Sequence, residues 1–281
     1  MPSNTPLTDA INALTRYANE TTGASDTTLS DAVGTLVAGY GGGGVSLVDI
    51  FRKTYPSGDV VVDDDTAFDI PGYFFQGFTG ITSFSSNKAR RINGYAFQNC
   101  SNMAAVDFPS CTQIDGSCFE NCSALATIDL SNSYQLSGSN QFRACTSLVD
   151  FLCWANGTAL NMFYGCTNLE SVDMAHLSIY NVANGCFNNC AKLNVLVLRK
   201  TSGVVALANI AAFSGTPFAN GGTGGTIYIP KALYDHLGDN SSLDYKAASN
   251  WSTLNGYGTI TWAKIEGSYY ETHYADGTPI E

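Results

Sequence analysis

Between residues 75 and 198 the apolar positions spell one phrase again and again. It reads Phe-x-x-Cys-x-x-Leu-x-x-Ile-x-Leu, and successive copies start 21 to 24 residues apart. Five copies are close: Phe97-Cys100-Met103-Val106-Phe108, Phe119-Cys122-Leu125-Ile128-Leu130, Phe142-Cys145-Leu148-Phe151-Cys153, Phe163-Cys166-Leu169-Val172-Met174 and Phe187-Cys190-Leu193-Leu196-Leu198. A looser copy, Phe75-Phe78-Ile81-Phe84, precedes them. A fixed period in this range predicts a stacked solenoid. Within a copy the first three apolar residues are three apart, the spacing of a helical or turn-like face. The last two are two apart, the spacing of a short strand. Ile114-Asp115-Gly116, just ahead of Cys118-Phe119, predicts a second short extended piece and a turn on the opposite side of the coil. One coil cannot hide its own apolar face, so neighbours must stack on it. The strands then pair in parallel ~4.8 Å apart, and seven coils, the last degenerate, make a rod of roughly 30 Å.

Stacking turns each slot of the phrase into a column. Phe97, Phe119, Phe142, Phe163 and Phe187 form one, and Cys100, Cys122, Cys145, Cys166 and Cys190 another. A small, weakly polar thiol suits a crowded interior slot. On the strands, the residue between the two inward positions points outward: Ser85, Asp107, Asp129, Leu152, Asp173 and Val197. The flanking outward column is Ser83, Ala105, Thr127, Asp150, Ser171 and Val195. This face is the candidate ligand-binding surface, through Asp107, Asp129, Asp150, Leu152 and Asp173, with Trp154 at its margin. Asp107 and Asp129 are expected as neighbours ~5 Å apart, an unfavourable contact unless a donor or cation bridges it.

The phrase resembles the BspA-like leucine-rich repeats of bacterial surface proteins and some protist surface antigens. Phe97-Gln-Asn-Cys-Ser-Asn-Met and Phe119-Glu-Asn-Cys-Ser-Ala-Leu carry the likeness best, and it covers about residues 70–200. It implies an α/β-type repeat fold, a leucine-rich-repeat solenoid with short parallel strands. It says little about function, because repeat scaffolds host many activities. The proline usual after the strand survives only at Pro109, and the copy after Phe213 breaks into a Gly-rich loop.

The flanks differ from the repeats. In residues 1–44, Thr5 caps and Pro6 opens a helix with Leu7, Ile11, Leu14 and Ala18 on one face. A second helix carries Leu29, Val33, Leu36 and Tyr40 before the Gly41–Gly44 joint. Two heptads per helix are too few to stand alone, which points to a helical attachment or oligomerisation segment. Residues 45–70 are expected to cap the first coil, with the strand-like Val45–Phe51 and an acidic turn, Asp63-Asp64-Asp65. That turn lacks the spaced oxygen ligands of a calcium loop and reads as solvated. Repeats fill residues 71–225. Residues 226–267 read strand-helix-strand and close the solenoid, and Tyr245–Trp251 resembles the terminal units of BspA-like proteins, with Trp251 as a core plug. Residues 268–281 form an aromatic tail.

Charge and chemistry narrow the reading. With 13 basic against 24 acidic residues the net charge is −11, which argues against phosphate-mediated nucleic-acid binding and against docking on anionic lipid. No stretch is long and apolar enough to span a membrane, and Met1–Pro6 has neither the basic region nor the apolar core of a signal peptide. The three histidines, His176, His236 and His273, sit in no catalytic or metal motif. Cys118/Cys122 and Cys186/Cys190 are four apart but lack nearby histidine or further pairs, so reduced thiols are expected rather than zinc. No glycine run has phosphate-loop spacing. The expectation is a non-catalytic binding protein without cofactor or metal. Pro6–Leu14 through Leu29–Val33 is similar to the N-terminal piece of tail-associated proteins from phages and prophages of gut Firmicutes. That resemblance implies a tail-fibre or tail-tip protein on the virion tail, contacting a bacterial cell-surface glycan or protein through the repeat face. It also implies binding to other tail proteins through residues 1–44, and a homo-oligomer, a trimer by analogy. The alternative is a bacterial surface adhesin or interaction module of the BspA type.

Overall fold

The computed structural model describes residues 58–61, 67–129, 135–153, 155, 157–175 and 180–266; the side chains of Asp129 and Cys153 fall outside that description. So do the two-helix segment 1–44, the strand-like Val45–Phe51, the acidic turn Asp63–Asp65, Trp154, His176, His273 and the tail 268–281.

The period becomes a coil with a short strand on each of two sides. On one side β1 (Gly58–Val61), β3 (Ile81–Ser85), β5 (Ala105–Asp107) and β7 (Thr127–Asp129) pair in that order. The same side continues as a second sheet of β9 (Asp150–Cys153), β10 (Ser171–Met174), β12 (Val195–Leu198), β14 (Gly225–Pro230) and β15 (Ile260–Ile265). The opposite side holds β2 (Phe68–Ile70), β4 (Ala89–Ile92), β6 (Gln113–Ile114) and β8 (Gln135–Leu136), then β11 (Asn181–Val182) with β13 (Ala206–Leu207). All of these pairings are parallel, and equivalent slots meet: Phe84 with Val106, Val106 with Ile128, Val172 with Leu196. The extended piece expected at Ile114 is β6.

The Phe-x-x-Cys stretch is a turn rather than a helix, and the reason lies in its backbone. Tyr95 and Asn99 both adopt left-handed conformations, at φ 63° each. Alternate N–H groups therefore leave the coil: those of Tyr95, Phe97 and Asn99 donate to Gly116, Cys118 and Glu120 of the next coil at 2.8 to 3.1 Å. Those between them bond three residues back, as from Cys100 to Phe97 at 3.1 Å. Two left-handed slots recur in the repeats. The one before the cysteine column holds Gly77, Asn99, Asn121, Ala144, Gly165 and Asn189. The one two residues before the phenylalanine holds Tyr73, Tyr95, Ser117, Asn140, Asn161 and Gly185. Asparagine and glycine tolerate this region best, and bulky residues least.

The core is one spine. The rings of Phe75, Phe97, Phe119, Phe142, Phe163 and Phe187 stack with centroids 5.0 to 5.7 Å apart and planes within 12°. The cysteine column is tied to it. Each thiol donates to a phenylalanine carbonyl of the preceding coil: Cys100 to Phe75, Cys122 to Phe97, Cys145 to Phe119, Cys166 to Phe142 and Cys190 to Phe163, at 3.0 to 3.2 Å. A buried carbonyl is thereby satisfied by a side chain small enough for the slot. Burial pushes the thiols of Cys118, Cys122, Cys145 and Cys190 well above their ordinary range, and that of Cys166 to about 12.

Among the described residues no strand pairing joins β7 to β9, yet the spine passes this seam. Phe119 stacks on Phe142 at 5.4 Å, and the Phe119 N–H donates to Gln141 at 2.9 Å. The last copy also survives better than the sequence predicts. Phe213 continues the ring column at 5.4 Å from Phe187, and Thr216 takes the cysteine slot, its hydroxyl donating to Phe213 at 2.7 Å. Two short helices, α1 (Lys231–Tyr234) and α2 (Trp251–Gly256), complete the C-terminal cap. Trp251 is fully buried, 5.9 Å from Phe213, and its indole N–H donates to Val205 at 2.7 Å.

Candidate functional site

The outward strand positions form the columns that the alternation predicts, but the two halves treat them differently. In the first half Ser83, Ala105 and Thr127 share one register, and Ser85, Asp107 and Asp129 the next. Asp107 and Asp129 are therefore direct partners along the sheet. Asp107 and Thr127 are exposed, and Ser83, Ser85 and Ala105 are half-buried. At the start of this ribbon Asp59 accepts from the hydroxyls of Ser83 and Thr82 at 2.7 and 2.8 Å, which lowers its pKa.

In the second half Asp150 pairs with Ser171, and Leu152 with Asp173, which in turn meets Val197. Asp150 is exposed and accepts from the Ser171 hydroxyl, and Leu152 is half-buried. Asp173 departs from the expectation. It is fully buried, and Arg199 grips it with a two-pronged pair, Nε at 2.7 Å and Nη2 at 2.6 Å. Ser171, Val197 and Arg199 are buried as well. A carboxylate removed from water in this way is held by its guanidinium partner, and no ligand on the face can reach it. Asp173 is therefore a structural residue. The alternation along β10 correctly placed its side chain outward from the spine, but that direction is not solvent here. Trp154 lies outside the described residues, as does the Asp129 side chain.

A second polar row escaped the sequence reading. The residue after each column phenylalanine lies on the turn side, and successive coils bond there. Gln76 donates to Gln98 at 2.6 Å, Gln98 to Glu120 at 2.9 Å, and Arg143 to Glu120 at 2.7 Å. The Arg143 guanidinium also lies 5.3 Å from the centroid of the Tyr164 ring. Burial raises the Glu120 pKa, but bonds from Gln98, Arg143 and Ser117 outweigh it and hold the carboxyl below its usual value. The signal was present as Phe-Gln, Phe-Gln, Phe-Glu, Phe-Arg, Phe-Tyr at the repeat period.

Two open clefts, of about 410 and 370 Å³, lie at the C-terminal cap, and neither is lined by a carboxylate, histidine or cysteine. His236 sits on the cap surface, its Nδ1 2.7 Å from Asp239. Among the described residues no group of His, Cys, Asp and Glu side chains has metal-binding geometry, and no helix is long and apolar enough to cross a membrane.

Stacked parallel strands, a dry phenylalanine-cysteine spine and a polar outer face define a leucine-rich-repeat solenoid. Residues 69–194 match the BspA type leucine rich repeat region in six copies. Three solved structures are similar. A T. pallidum leucine rich repeat protein is 24% identical with a TM-score of 0.47, over 56% of this chain and 69% of that one. A leucine-rich repeat protein from Bacteroides ovatus is 20% identical with a TM-score of 0.38, over 73% of this chain and 42% of that one. A leucine rich cell surface protein from Faecalibacterium prausnitzii is 13% identical with a TM-score of 0.39, over 62% of this chain and 59% of that one. The chain thus spans about half the length of the latter two. None of the curated proteins matches it.

Proposed function

We propose that the chain is a non-catalytic binding protein whose strand face contacts a bacterial cell surface, either a glycan or a protein on it. One observation carries this reading: small and polar side chains from successive coils stand in register on a rigid spine, with Asp107, Thr127 and Asp150 exposed. Repeats that contact only their neighbours build extended faces of the kind such scaffolds use for binding. The contacting residues are Asp107, Asp129, Asp150 and Leu152, with Trp154 at the margin. Labelled protein should bind bacterial cells, and Asp107→Arg with Asp150→Arg should weaken binding at least tenfold without changing the unfolding midpoint. Equal binding by the variant overturns the choice of face, and failure of the unaltered protein to bind any bacterial surface overturns the function.

The carrier of this face is the tail of a phage or prophage virion, in which residues 1–44 attach to other tail proteins and bring the copies together as a trimer. The resemblance of Pro6–Val33 to tail-associated proteins supports it. The BspA-type repeats favour a second reading, a bacterial surface adhesin. The mass of the oligomer with residues 1–44 present and deleted separates the two. A trimer that becomes a monomer on deletion supports the virion reading; a monomer in both forms removes it.

A further inference from the structure

One of the two clefts at the C-terminal cap, of about 370 Å³, is lined by Tyr234, Leu237, Lys246, Asn255, Ile260 and Trp262. Small-molecule sites span ~300–1,000 Å³, so the cleft is large enough for a ligand. Its aromatic wall is held in place. Trp262 of β15 stands in register with buried Ile227 of β14 and is itself half-buried. Its ring lies 5.2 Å from that of Tyr245 and 6.1 Å from that of Trp251, and its indole N–H donates to Asn255 Oδ1 at 2.8 Å. The loop that carries Lys246 is fixed as well. Buried Asp244 accepts from the backbone N–H groups of Asn240 at 3.1 Å and of Lys246 at 2.8 Å. The other charged side chains of residues 231–266 pair off: Lys231 with Asp235 at 2.6 Å, His236 with Asp239 at 2.7 Å, and Lys264 with Glu266 at 3.5 Å. Exposed Lys246 alone has no carboxylate partner among the described residues. The Asn255 amide N–H groups and the Tyr234 hydroxyl, which line the same cleft, make no hydrogen bond among the described residues either.

We propose that this cleft binds a saccharide ring that carries a carboxylate, a hexuronate. This rests on the reading that the chain binds a bacterial surface, and it assigns an acidic-glycan contact to a place separate from the strand face. Lys246 supplies the counter-charge, in a cleft that no carboxylate lines. The Asn255 amide and the Tyr234 hydroxyl meet ring hydroxyls. The rings of Trp262 and Tyr234 offer electron-rich surface to the polarised C–H groups of a pyranose. The chain's net charge of −11 does not forbid an acidic ligand, because charges more than ~8 Å away are largely screened at physiological salt. Within that radius the pairing of Asp235, Asp239 and Glu266 leaves the lysine as the uncompensated charge.

The test uses the full chain and the variant Lys246→Ala, an exposed site whose truncation should leave the Tm unchanged. The probes are methyl glucuronide and methyl galacturonide, their neutral counterparts methyl glucoside and methyl galactoside, and N-acetylalanine, a carboxylate without a sugar ring. Binding is read by saturation-transfer NMR and titration calorimetry, with binding to bacterial cells measured in parallel. At least one glucuronide or galacturonide should bind the unaltered chain about tenfold or more tightly than its neutral counterpart, the worth of one charge-assisted bond. Lys246→Ala should erase that preference, and Lys246→Arg should keep most of it. The cleft assignment is overturned if neither uronide binds, if the neutral sugars bind as well, or if Lys246→Ala retains the preference. N-acetylalanine binding as tightly as the uronides overturns the saccharide and points to a peptide carboxylate. Cell binding by an unaltered chain that binds no uronide leaves the surface-binding function standing. Uronide binding without cell binding upholds the cleft and overturns that function.

Discussion

The two halves of the strand face share one pattern and meet different fates. In β5 the outward Asp107 is exposed, whereas in β10 the equivalent Asp173 is fully buried and clamped by Arg199. The spine beneath them is the same, with rings at 5.5 Å between Phe97 and Phe119 and 5.7 Å between Phe163 and Phe187. Period-two alternation therefore settles which way a side chain leaves the spine. Whether it then meets water depends on what else covers the sheet.

The largest expected effect probes what the halves have in common. Cys118, Cys122, Cys145, Cys166 and Cys190 have thiol pKa values raised by burial, on both sides of the seam. A raised folded pKa gives stability that is complete below the unfolded thiol value, about 8.5, and is lost as pH climbs through the folded one. Each thiol withdraws about 1.4 kcal/mol per pH unit in that window. Denaturant midpoints should thus fall steeply from pH 8.5 upward, and one transition should report both halves. Two separate transitions would show that the seam divides the protein.

A smaller effect tests where the halves differ. Asp173→Ala takes the paired carboxylate away from buried Arg199 and should destabilise the fold by about 3–5 kcal/mol in urea unfolding. Asp107→Ala, on the exposed side, should leave the midpoint where it is. Equal effects from the two substitutions would erase the distinction drawn between the halves.

Much of this architecture was legible because repetition amplifies weak signals. Phe119 alone means little, but Phe97, Phe119, Phe142, Phe163 and Phe187 at one period specify a column. The cysteine column and the Trp251 plug were readable for the same reason and through the resemblance of the terminal unit. The turn conformation was half-written in the sequence, in the Asn or Gly that precedes most column positions, such as Asn99, Asn121, Gly165 and Asn189. The Asp173–Arg199 pair was not readable, since the partners stand 26 residues apart and Arg199 follows its strand rather than lying in the pattern.

The central claim is that the cysteine and phenylalanine slots stack into a single dry interior. Thiol titration with an aromatic disulfide reagent at pH 8, without and with denaturant, tests it most directly. The sequence holds nine cysteines, and eight of them are buried free thiols. The prediction is at most one rapidly reacting thiol in the folded protein and nine after unfolding. Two or more reacting at once in the folded protein would mean that water reaches the column.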